Sequence, residues 1–258
     1  MILNDYWEFN VMGVYDYRSY GSLYDWYEII QTNISNVDGD LVEAGVFKGR
    51  SFLATSLLIK EMQMKKLIDR NIVNYGFDSF TGFPSDNSPQ DQWENFEFQY
   101  KKGLISEAHF RIIQKNWQLI KTLKNLEMPT SSNLSTSGDF SNNSLQLLTR
   151  KINILDLEDS TKLVDGPFSS TMTNFNLPEK IAGVLFDCDL YESYKITLQK
   201  TWPRLVQGGW LFFDEYYSLK FPGARTAVDE FFLDKQDQIE WHKSSRERDF
   251  ERNWIIKK

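Results

Sequence analysis

Five short apolar runs recur along the chain, and each ends in a turn or in acidic residues. They occupy residues 41–47, 71–80, 161–166, 181–189 and 209–215. Continuous apolar runs of this length are typical of parallel strands that are covered on both faces. Helical patterns lie between them, at residues 51–67 and 191–205. Alternating strands and helices predict right-handed βαβ crossovers, and therefore an α/β fold with a mainly parallel sheet.

Residues 227–258 depart from this alternation. A helical pattern at 227–235 is followed by two strand-like runs, 239–243 and 253–258, and the charged turn SSRERDFER joins the two runs. We expect them to form an antiparallel hairpin that completes a seven-stranded sheet near one edge. The ordinary dinucleotide-binding fold lacks such a hairpin, although two short runs could also pair apart from the sheet.

Residues 84–150 interrupt the pattern in the middle of the chain. This stretch is charged and partly helical, and its Ser/Asn-rich part, 130–144, is the best candidate for disorder. Long insertions of this kind usually act as lids or are mobile. We therefore expect one domain over residues 1–258, with an N-terminal helical segment at 1–39 and this insertion at 84–150.

Composition narrows the class of protein. Hydrophobic residues make up 41% of the 258 residues, which is enough for a large core, and the net charge of −7 argues against a nucleic-acid partner. Cys188 is the single cysteine, so no internal disulfide forms and a reducing compartment is expected. The sequence shows neither a signal peptide nor an apolar stretch of about 18 residues, so we expect a cytoplasmic protein with no membrane contact.

The first apolar run carries an E-x-G-x-x-x-G pattern, formed by Glu43, Gly45 and Gly49. Glycines at a strand-to-helix turn let the backbone approach a ligand closely, but the spacing fits neither a P-loop nor a dinucleotide fingerprint. An acidic strand residue suits a cationic ligand better than a pyrophosphate, and Asp78 ends the second run where it can accept both hydroxyls of a ribose. The alternative is a glycine turn and a helix cap that bind no ligand.

Four acidic residues end the fourth and fifth runs: Asp187, Asp189, Asp214 and Glu215. If the two strands are neighbours, these carboxylates meet at the carboxyl edge of the sheet, where open α/β sheets bind ligands. Crowded carboxylates require protons or a cation, and oxygen ligands favour Mg²⁺ first, with Mn²⁺ or Ca²⁺ as alternatives. The competing interpretation is that Asp187 or Asp214 caps the following helix.

Cysteine and histidine offer no better candidates for catalysis. Cys188 lies between two acids that raise a thiol pKa, which argues against a nucleophilic role. His109 and His242 adjoin none of the motifs, so packing or surface roles are favoured for both. The general base must therefore be a carboxylate or a lysine.

Six segments together resemble the macrocin-type O-methyltransferases, which methylate deoxysugar hydroxyls on macrolide and aminocoumarin natural products. They are LVEAGVFKGRS, YGFDSFTGFP, LVDGPFSST, FDCDLYES, LVQGGWLFFDEYYS and PGARTAVDEF, and they occur in the family's order within residues 40–83 and 161–232. Each motif alone is weak, whereas the ordered set is specific.

The resemblance implies a Rossmann-like class I methyltransferase fold, S-adenosylmethionine as methyl donor, Mg²⁺ as cofactor, a small hydroxyl-bearing acceptor and a homodimer. It places the metal on Asp187, Asp214 and Glu215, and the general base on Asp189. It places the cofactor at Glu43, Gly45, Phe47, Gly49, Ser51, Asp78, Ser79, Gly166, Phe168 and Asp187. Mg²⁺ would bind two neighbouring hydroxyls of the acceptor. Asp189, which strand alternation places on the same face as Asp187, would take the proton of one hydroxyl.

The chain departs from the family pattern in several places. Glu215 stands where relatives usually have Asp, the segment GPFSSTM lacks the family's Trp, and the insertion is longer than expected. Leu190 occupies the position of the lysine that related catechol-type enzymes use, which favours Asp189 as the base. Two alternatives to a sugar O-methyltransferase stay open: an enzyme for a catechol-like or other diol, and a cofactor-binding module without turnover.

Aromatic residues of the N-terminal segment are candidates for the acceptor side of such a site. Tyr15, Tyr17, Tyr20 and Tyr24 could stack on a sugar, but packing onto the core or onto a partner subunit explains them equally well. Arg225 could meet an acidic acceptor, although a local salt bridge is favoured.

Overall fold

The computed structural model describes residues 3–21, 23–84, 88–127, 129–244, 246 and 250–258, without the side chains of 131 and 132. Its strands are β1 (Asp40–Ala44), β2 (Asn74–Asp78), β3 (Thr161–Asp165), β4 (Ile181–Phe186), β5 (Leu205–Phe213), β6 (Ile239–Lys243) and β7 (Asn253–Lys257). They form one sheet in the order β3-β2-β1-β4-β5-β7-β6. Strands β1 to β5 pair in parallel, and β7 runs antiparallel to both β5 and β6.

Helices cover both faces of this sheet. They are α1 (Tyr6–Met12), α2 (Tyr24–Asn33), α3 (Arg50–Met64), α4 (Trp93–Lys101), α5 (Glu107–Lys124), α6 (Ser131–Leu134), α7 (Leu145–Ile154), α8 (Phe168–Asn174), α9 (Tyr191–Thr201) and α10 (Pro222–Phe231). The predicted α/β class, the seven strands and the C-terminal hairpin are confirmed. Residues 245 and 247–249 of the predicted charged turn lie outside the described part of the chain.

Three boundaries in the second half of the chain differ from the prediction because proline overrides the apolar pattern. Strand β5 begins at Leu205, four residues before the predicted run, and α9 ends at Thr201. Pro203 lies in the single 3-10 turn between them and cannot continue an α-helix. Helix α10 begins at Pro222 and not at residue 227, since proline is favoured in the first turn of a helix.

Alternating side chains of the central strands feed two separate hydrophobic layers. Leu41, Leu185 and Trp210 face one layer together with α2, α3 and α7. Their neighbours Val42 and Val184 face the other layer with α9 and α10. The central strands are therefore buried on both sides, which is the reason that they read as continuous apolar runs.

The insertion at 84–150 forms a third hydrophobic cluster and packs against the segment that follows β5. Its core includes Ile113 and Trp117 of α5, and the Trp117 indole donates a hydrogen bond of 3.1 Å to the carbonyl of Leu219. The Gln99 side-chain amide donates similarly to the Pro222 carbonyl at 2.8 Å. The insertion is thus attached to the loop that carries Glu215. In the described residues, no helix has the length and apolar character needed to cross a membrane.

Candidate functional site

A large cavity opens where the order of strands reverses. Strand β1 has β2 on one side and β4 on the other, so the crossovers leave in opposite directions and a crevice forms at the carboxyl ends of β1 and β4. A cavity of about 570 Å³ lies at this point. That volume suits a small organic ligand.

The glycine turn after β1 forms one wall of the cavity. Gly45 has a φ of 92°, and a Cβ added there would lie 1.9 Å from the backbone oxygen of Asp187. Gly49 has a φ of 77°, and a Cβ would lie 2.3 Å from a methyl carbon of Leu148. Both positions therefore need glycine for conformation and for space, and the first brings the β1 turn against the end of β4.

Asp78 holds the glycine turn in shape. One of its oxygens accepts hydrogen bonds from the backbone amides of Val46 at 2.8 Å and Phe47 at 2.7 Å, and the other accepts from the amide of Phe80 at 2.7 Å. A carboxylate has about four acceptor positions, so three are used by the backbone and one stays open to a ligand. Asp78 lines the cavity, and its bracing of the turn was not foreseen from the sequence.

Glu43 lies behind the cavity wall. It is 1% exposed, and one oxygen accepts a hydrogen bond of 2.6 Å from the Ser51 hydroxyl. Its other oxygen has no hydrogen-bond partner in the described structure. Burial raises the pKa of Glu43 to about 8, with a smaller contribution from the charge of Asp78. Burial therefore favours the neutral carboxyl at neutral pH, whereas the sequence suggested an anion.

This shift predicts a pH-dependent effect of Glu43→Gln on stability. The carboxyl ionises near 4.5 in the unfolded chain and near 8 in the folded chain, so the folded state holds an extra proton between these values. Relative to the variant, the wild type should lose about 2–3 kcal/mol of unfolding free energy between pH 5 and pH 7. Urea unfolding at pH 5, 6 and 7 measures the difference. An exposed control, Glu127→Gln, should show no such trend, and a pH-independent difference for Glu43→Gln would refute the assignment.

Asp187 and Asp214 extend neighbouring strands by one residue each. Phe186 and Phe213 are partners in the β4–β5 ladder, and the Asp214 amide donates to the Phe186 carbonyl at 3.0 Å. Both acids therefore leave the sheet side by side at its carboxyl edge, as the sequence predicted. Burial raises the pKa of Asp187 well above its ordinary value, and the charge of Asp214 is the next largest cause.

Asp189 reaches the same cavity by a different route from the predicted one. Strand β4 ends at Phe186, and Asp189 has a φ of 59°, so its direction is set by a left-handed backbone and not by strand alternation. It is 6% exposed and lines the cavity. Burial raises its pKa well above the ordinary value, followed by the charge of Glu215. A backbone outlier of this kind is common at functional sites, where surrounding contacts enforce it.

Two basic side chains reach the carboxylates, and the sequence analysis missed both. The Arg252 Nε lies 2.6 Å from an Asp214 oxygen, and the Lys220 Nζ lies 3.7 Å from a Glu215 oxygen. Glu215 also accepts a hydrogen bond from the Ser218 hydroxyl. Lys220 follows Glu215 by five residues, but Arg252 arrives from the distant hairpin turn, so no local pattern could indicate it.

The donor chemistry at this edge fits a hard cation, because every candidate ligand atom is a carboxylate oxygen. Within the described ranges, however, no three acidic, cysteine or histidine side chains converge closely enough to hold a metal. Arg252 and Lys220 partly balance the charge of Asp214 and Glu215 instead. A metal at this edge would have to compete with both basic side chains.

Most of the residues that the resemblance assigned to ligands are brought together by the fold. Those that line the cavity are Gly45, Phe47, Asp78, Ser79, Phe168, Asp187, Asp189, Asp214 and Glu215. Glu43, Gly49, Ser51 and Gly166 do not line the cavity. Arg50, Phe140, Lys220 and Arg252 line it without having been predicted.

Among the residues that the sequence analysis set aside, Cys188 lines the cavity, whereas His109, His242 and Arg225 make contacts outside it. Burial raises the pKa of the Cys188 thiol well above its ordinary value. His109 packs against Tyr217, and His242 stacks on Trp254. The Arg225 Nε lies 3.1 Å from an Asp229 oxygen, which is a local salt bridge of the kind that the sequence analysis favoured.

Helix capping does not explain the acidic pairs. The N-cap of α9 is Leu190, and the carboxylate at the first amide of that helix belongs to Asp91, which accepts from Tyr191 at 3.0 Å. Helix α10 begins at Pro222, eight residues after Asp214. Asp214 therefore does not cap the helix that follows β5. The first amide of the helix that follows β4 is bound by Asp91, so Asp187 does not cap that helix.

Two sequence comparisons relate the chain to O-methyltransferases. The family model described as macrocin-O-methyltransferase matches residues 130–241. The demethyldecarbamoylnovobiocin O-methyltransferase of Streptomyces niveus is 24% identical over 197 residues, which cover 76% of this chain and 59% of that relative. The chain thus spans less than two thirds of the length of this curated relative.

Solved structures share the fold. The O-methyltransferase NovP superposes with a TM-score of 0.57 at 22% identity, over 89% of this chain and 75% of NovP. The calicheamicin methyltransferase CalS11 superposes with a TM-score of 0.58 at 20% identity, over 91% of this chain and 77% of CalS11. Both similarities confirm the class I architecture that the sequence predicted.

Proposed function

Since the chain is related to the macrocin O-methyltransferases, we propose that it transfers the methyl group of S-adenosylmethionine to a hydroxyl oxygen of a small, sugar-like acceptor. The observation that carries the proposal is the meeting of the glycine turn with Asp187 and Asp189 in one cavity at the strand-order reversal. A methyl donor bound along the glycine turn would face the acidic groups on the opposite wall.

The cofactor fits along the glycine turn. Its methionine end would lie at Gly45 and Phe47, and its ribose would use the open acceptor position of Asp78. Phe168 lies on the cavity wall, and Phe140 packs edge-on against Phe47 at 5.1 Å, so apolar surface is available for the adenine.

Asp189 is the candidate general base. The acceptor oxygen attacks the methyl carbon, the bond from that carbon to sulfur breaks, and the hydroxyl proton moves to the Asp189 carboxylate. The products are a methyl ether and S-adenosylhomocysteine. A buried carboxylate with a raised pKa binds a proton more readily than an exposed one, and the nearby positive charge of Lys220 opposes part of that rise.

We propose Asp187, Asp214 and Glu215 as the residues that would hold Mg²⁺, with Mn²⁺ or Ca²⁺ as substitutes. Such an ion would supply charge stabilisation and acidify a bound hydroxyl. Arg252 would have to release the Asp214 oxygen that it contacts at 2.6 Å, and Glu215 would have to turn from Ser218 and Lys220. The homodimer implied by the resemblance stays a prediction as well.

A methyl-transfer screen tests this function. Nucleotide sugars, simple glycosides and catechols are incubated with S-adenosylmethionine, with Mg²⁺ or with a chelator, and products are identified by mass and by the methylated position. We expect methylation of a sugar hydroxyl that falls when the metal is chelated. Methylation of catechols alone would favour the diol alternative. Cofactor binding without turnover on any of the acceptors would favour the binding module. Full turnover in the presence of the chelator would exclude a role for the metal in the reaction.

A further inference from the structure

Three basic side chains gather beside the glycine turn, and the proposed reaction does not use them. They are Lys48, Arg50 and Lys151, hereafter the basic cluster. In the described structure none of the three forms an ion pair with a carboxylate, while other basic residues such as Lys180 and Arg111 do so. The overall charge of the chain is −7, so an unpaired group of three cations stands out against its surroundings.

Packing between three elements holds the basic cluster together. Leu148 of α7 lies against Gly49, and Lys151 follows one turn later on the same helix. The Lys151 Nζ lies 3.2 Å from where a Cβ of Gly13 would stand, just after α1. The Arg50 guanidinium lies 4.4 Å from the centre of the Tyr15 ring, and the Tyr15 amide donates to the Arg50 carbonyl at 3.2 Å.

The location of the basic cluster is electrostatically unfavourable without an anion. Arg50 is the first residue of the 15-residue helix α3, and the first turn of that helix contains no acidic residue. The amino end of a helix carries partial positive charge, so cations there are repelled and anions are attracted. Burial, Arg50 and Lys48 together lower the pKa of Lys151, which reflects the same crowding.

Tyr15 connects the basic cluster to the acidic end of the cavity. Both Tyr15 and Arg50 line the cavity wall, as do Asp187 and Asp214. The pKa of Tyr15 is raised by burial and, more weakly, by the charges of these two acids, while Arg50 opposes the rise. One elongated ligand can therefore place neutral hydroxyls at the carboxylates and an anionic group at Arg50.

We propose that the acceptor carries a phosphate or diphosphate, which the basic cluster binds while the hydroxyl to be methylated lies at Asp189. This inference rests on the proposed function and narrows it, because it favours a sugar phosphate or nucleotide sugar over a neutral glycoside. Arg50 supplies a planar guanidinium suited to a phosphate, and the two lysines supply point charges. The cofactor's own carboxylate is the competing anion, and the test separates the two.

Binding of inorganic pyrophosphate tests the proposal without requiring turnover. Calorimetric titration compares the wild type with the double variant Arg50→Gln/Lys151→Gln and with the control Arg111→Gln/Lys180→Gln, which removes the same charge from exposed ion pairs. We expect pyrophosphate affinity to fall at least tenfold in the first variant and less than twofold in the control. The wild-type affinity should also weaken as salt is added.

Titration of S-adenosylhomocysteine into the same proteins gives the second arm. The proposal predicts that its affinity changes less than twofold, with both double variants melting as the wild type does. A tenfold loss of S-adenosylhomocysteine affinity would assign the basic cluster to the cofactor carboxylate and overturn the proposal. Absent or unchanged pyrophosphate binding would overturn it too. Neither result depends on methyl transfer, so failure of the proposed function would be seen separately in the acceptor screen.

Discussion

Replacing Asp189 by Asn should lower kcat for methyl transfer by about 10²- to 10⁴-fold, the range attributed to general-base catalysis. The amide is nearly isosteric with the carboxyl, so the left-handed backbone at this position and the cavity wall should persist. Asn cannot accept the hydroxyl proton, whereas binding of S-adenosylhomocysteine should change less than twofold. Single-turnover measurements with a saturating acceptor report the chemical step directly.

A second buried carboxyl provides the matched control. Asp91 is 1% exposed, and burial raises its pKa to about 7, but it contacts the start of α9 and does not line the cavity. Asp91→Asn retains an oxygen that can accept from the Tyr191 amide, so kcat should stay within about threefold of wild type. If Asp189→Asn is as active as this control, Asp189 is not the base.

Replacing Gly45 by Ala should disrupt both stability and cofactor binding. The new Cβ would stand 1.9 Å from the Asp187 backbone oxygen, at a φ of 92° that L residues rarely adopt. Backbone strain and overpacking each cost about 1–3 kcal/mol, so we expect the unfolding free energy of the variant to fall by roughly 3 kcal/mol or more. The melting temperature should fall by roughly 6–12 °C, because each kcal/mol shifts a chain of this size by about 2–4 °C.

Gly103→Ala separates the two causes of that loss. Gly103 also has a positive φ, of 69°, but no atom lies within 4 Å of its added Cβ. The Gly103→Ala variant should therefore lose only the conformational part of the unfolding free energy, about 1 kcal/mol. Differential scanning calorimetry of both variants measures the contrast. Equal losses would show that the close approach of the β1 turn to the end of β4 is unimportant.

Most of the architecture could be predicted from the sequence, because parallel strands that are buried on both faces have continuous apolar sequences. Each of the five predicted runs overlaps a strand, and the hairpin at 239–258 pairs as expected. The boundaries of helices were harder to predict near prolines. Pro203 lies in the turn that follows α9, and Pro222 is the first residue of α10. These shifts depend on local backbone chemistry that an apolar pattern does not record.

The candidate site was predictable where it follows strand ends and not where it depends on long-range contact. Asp187 and Asp214 lie where the pattern placed them, because strand ends define the sheet edge. Arg252 comes from a turn 38 residues after Asp214. Arg50 becomes part of a basic cluster only because the fold brings Lys151 of α7 within range of its charge. The bracing of the glycine turn by Asp78 is also a tertiary contact, over 31 and 32 residues.

Titration of S-adenosylhomocysteine into the wild type and into Asp78→Ala tests most directly whether this cavity holds the methyl donor. The Asp78 carboxylate braces the amides of Val46 and Phe47 and offers its remaining acceptor position to the ribose. We predict wild-type binding with a Kd between about 1 μM and 1 mM, the usual range for enzyme ligands, and at least a tenfold loss in the variant. No detectable binding to the folded wild type, or equal binding to both proteins, would contradict the account.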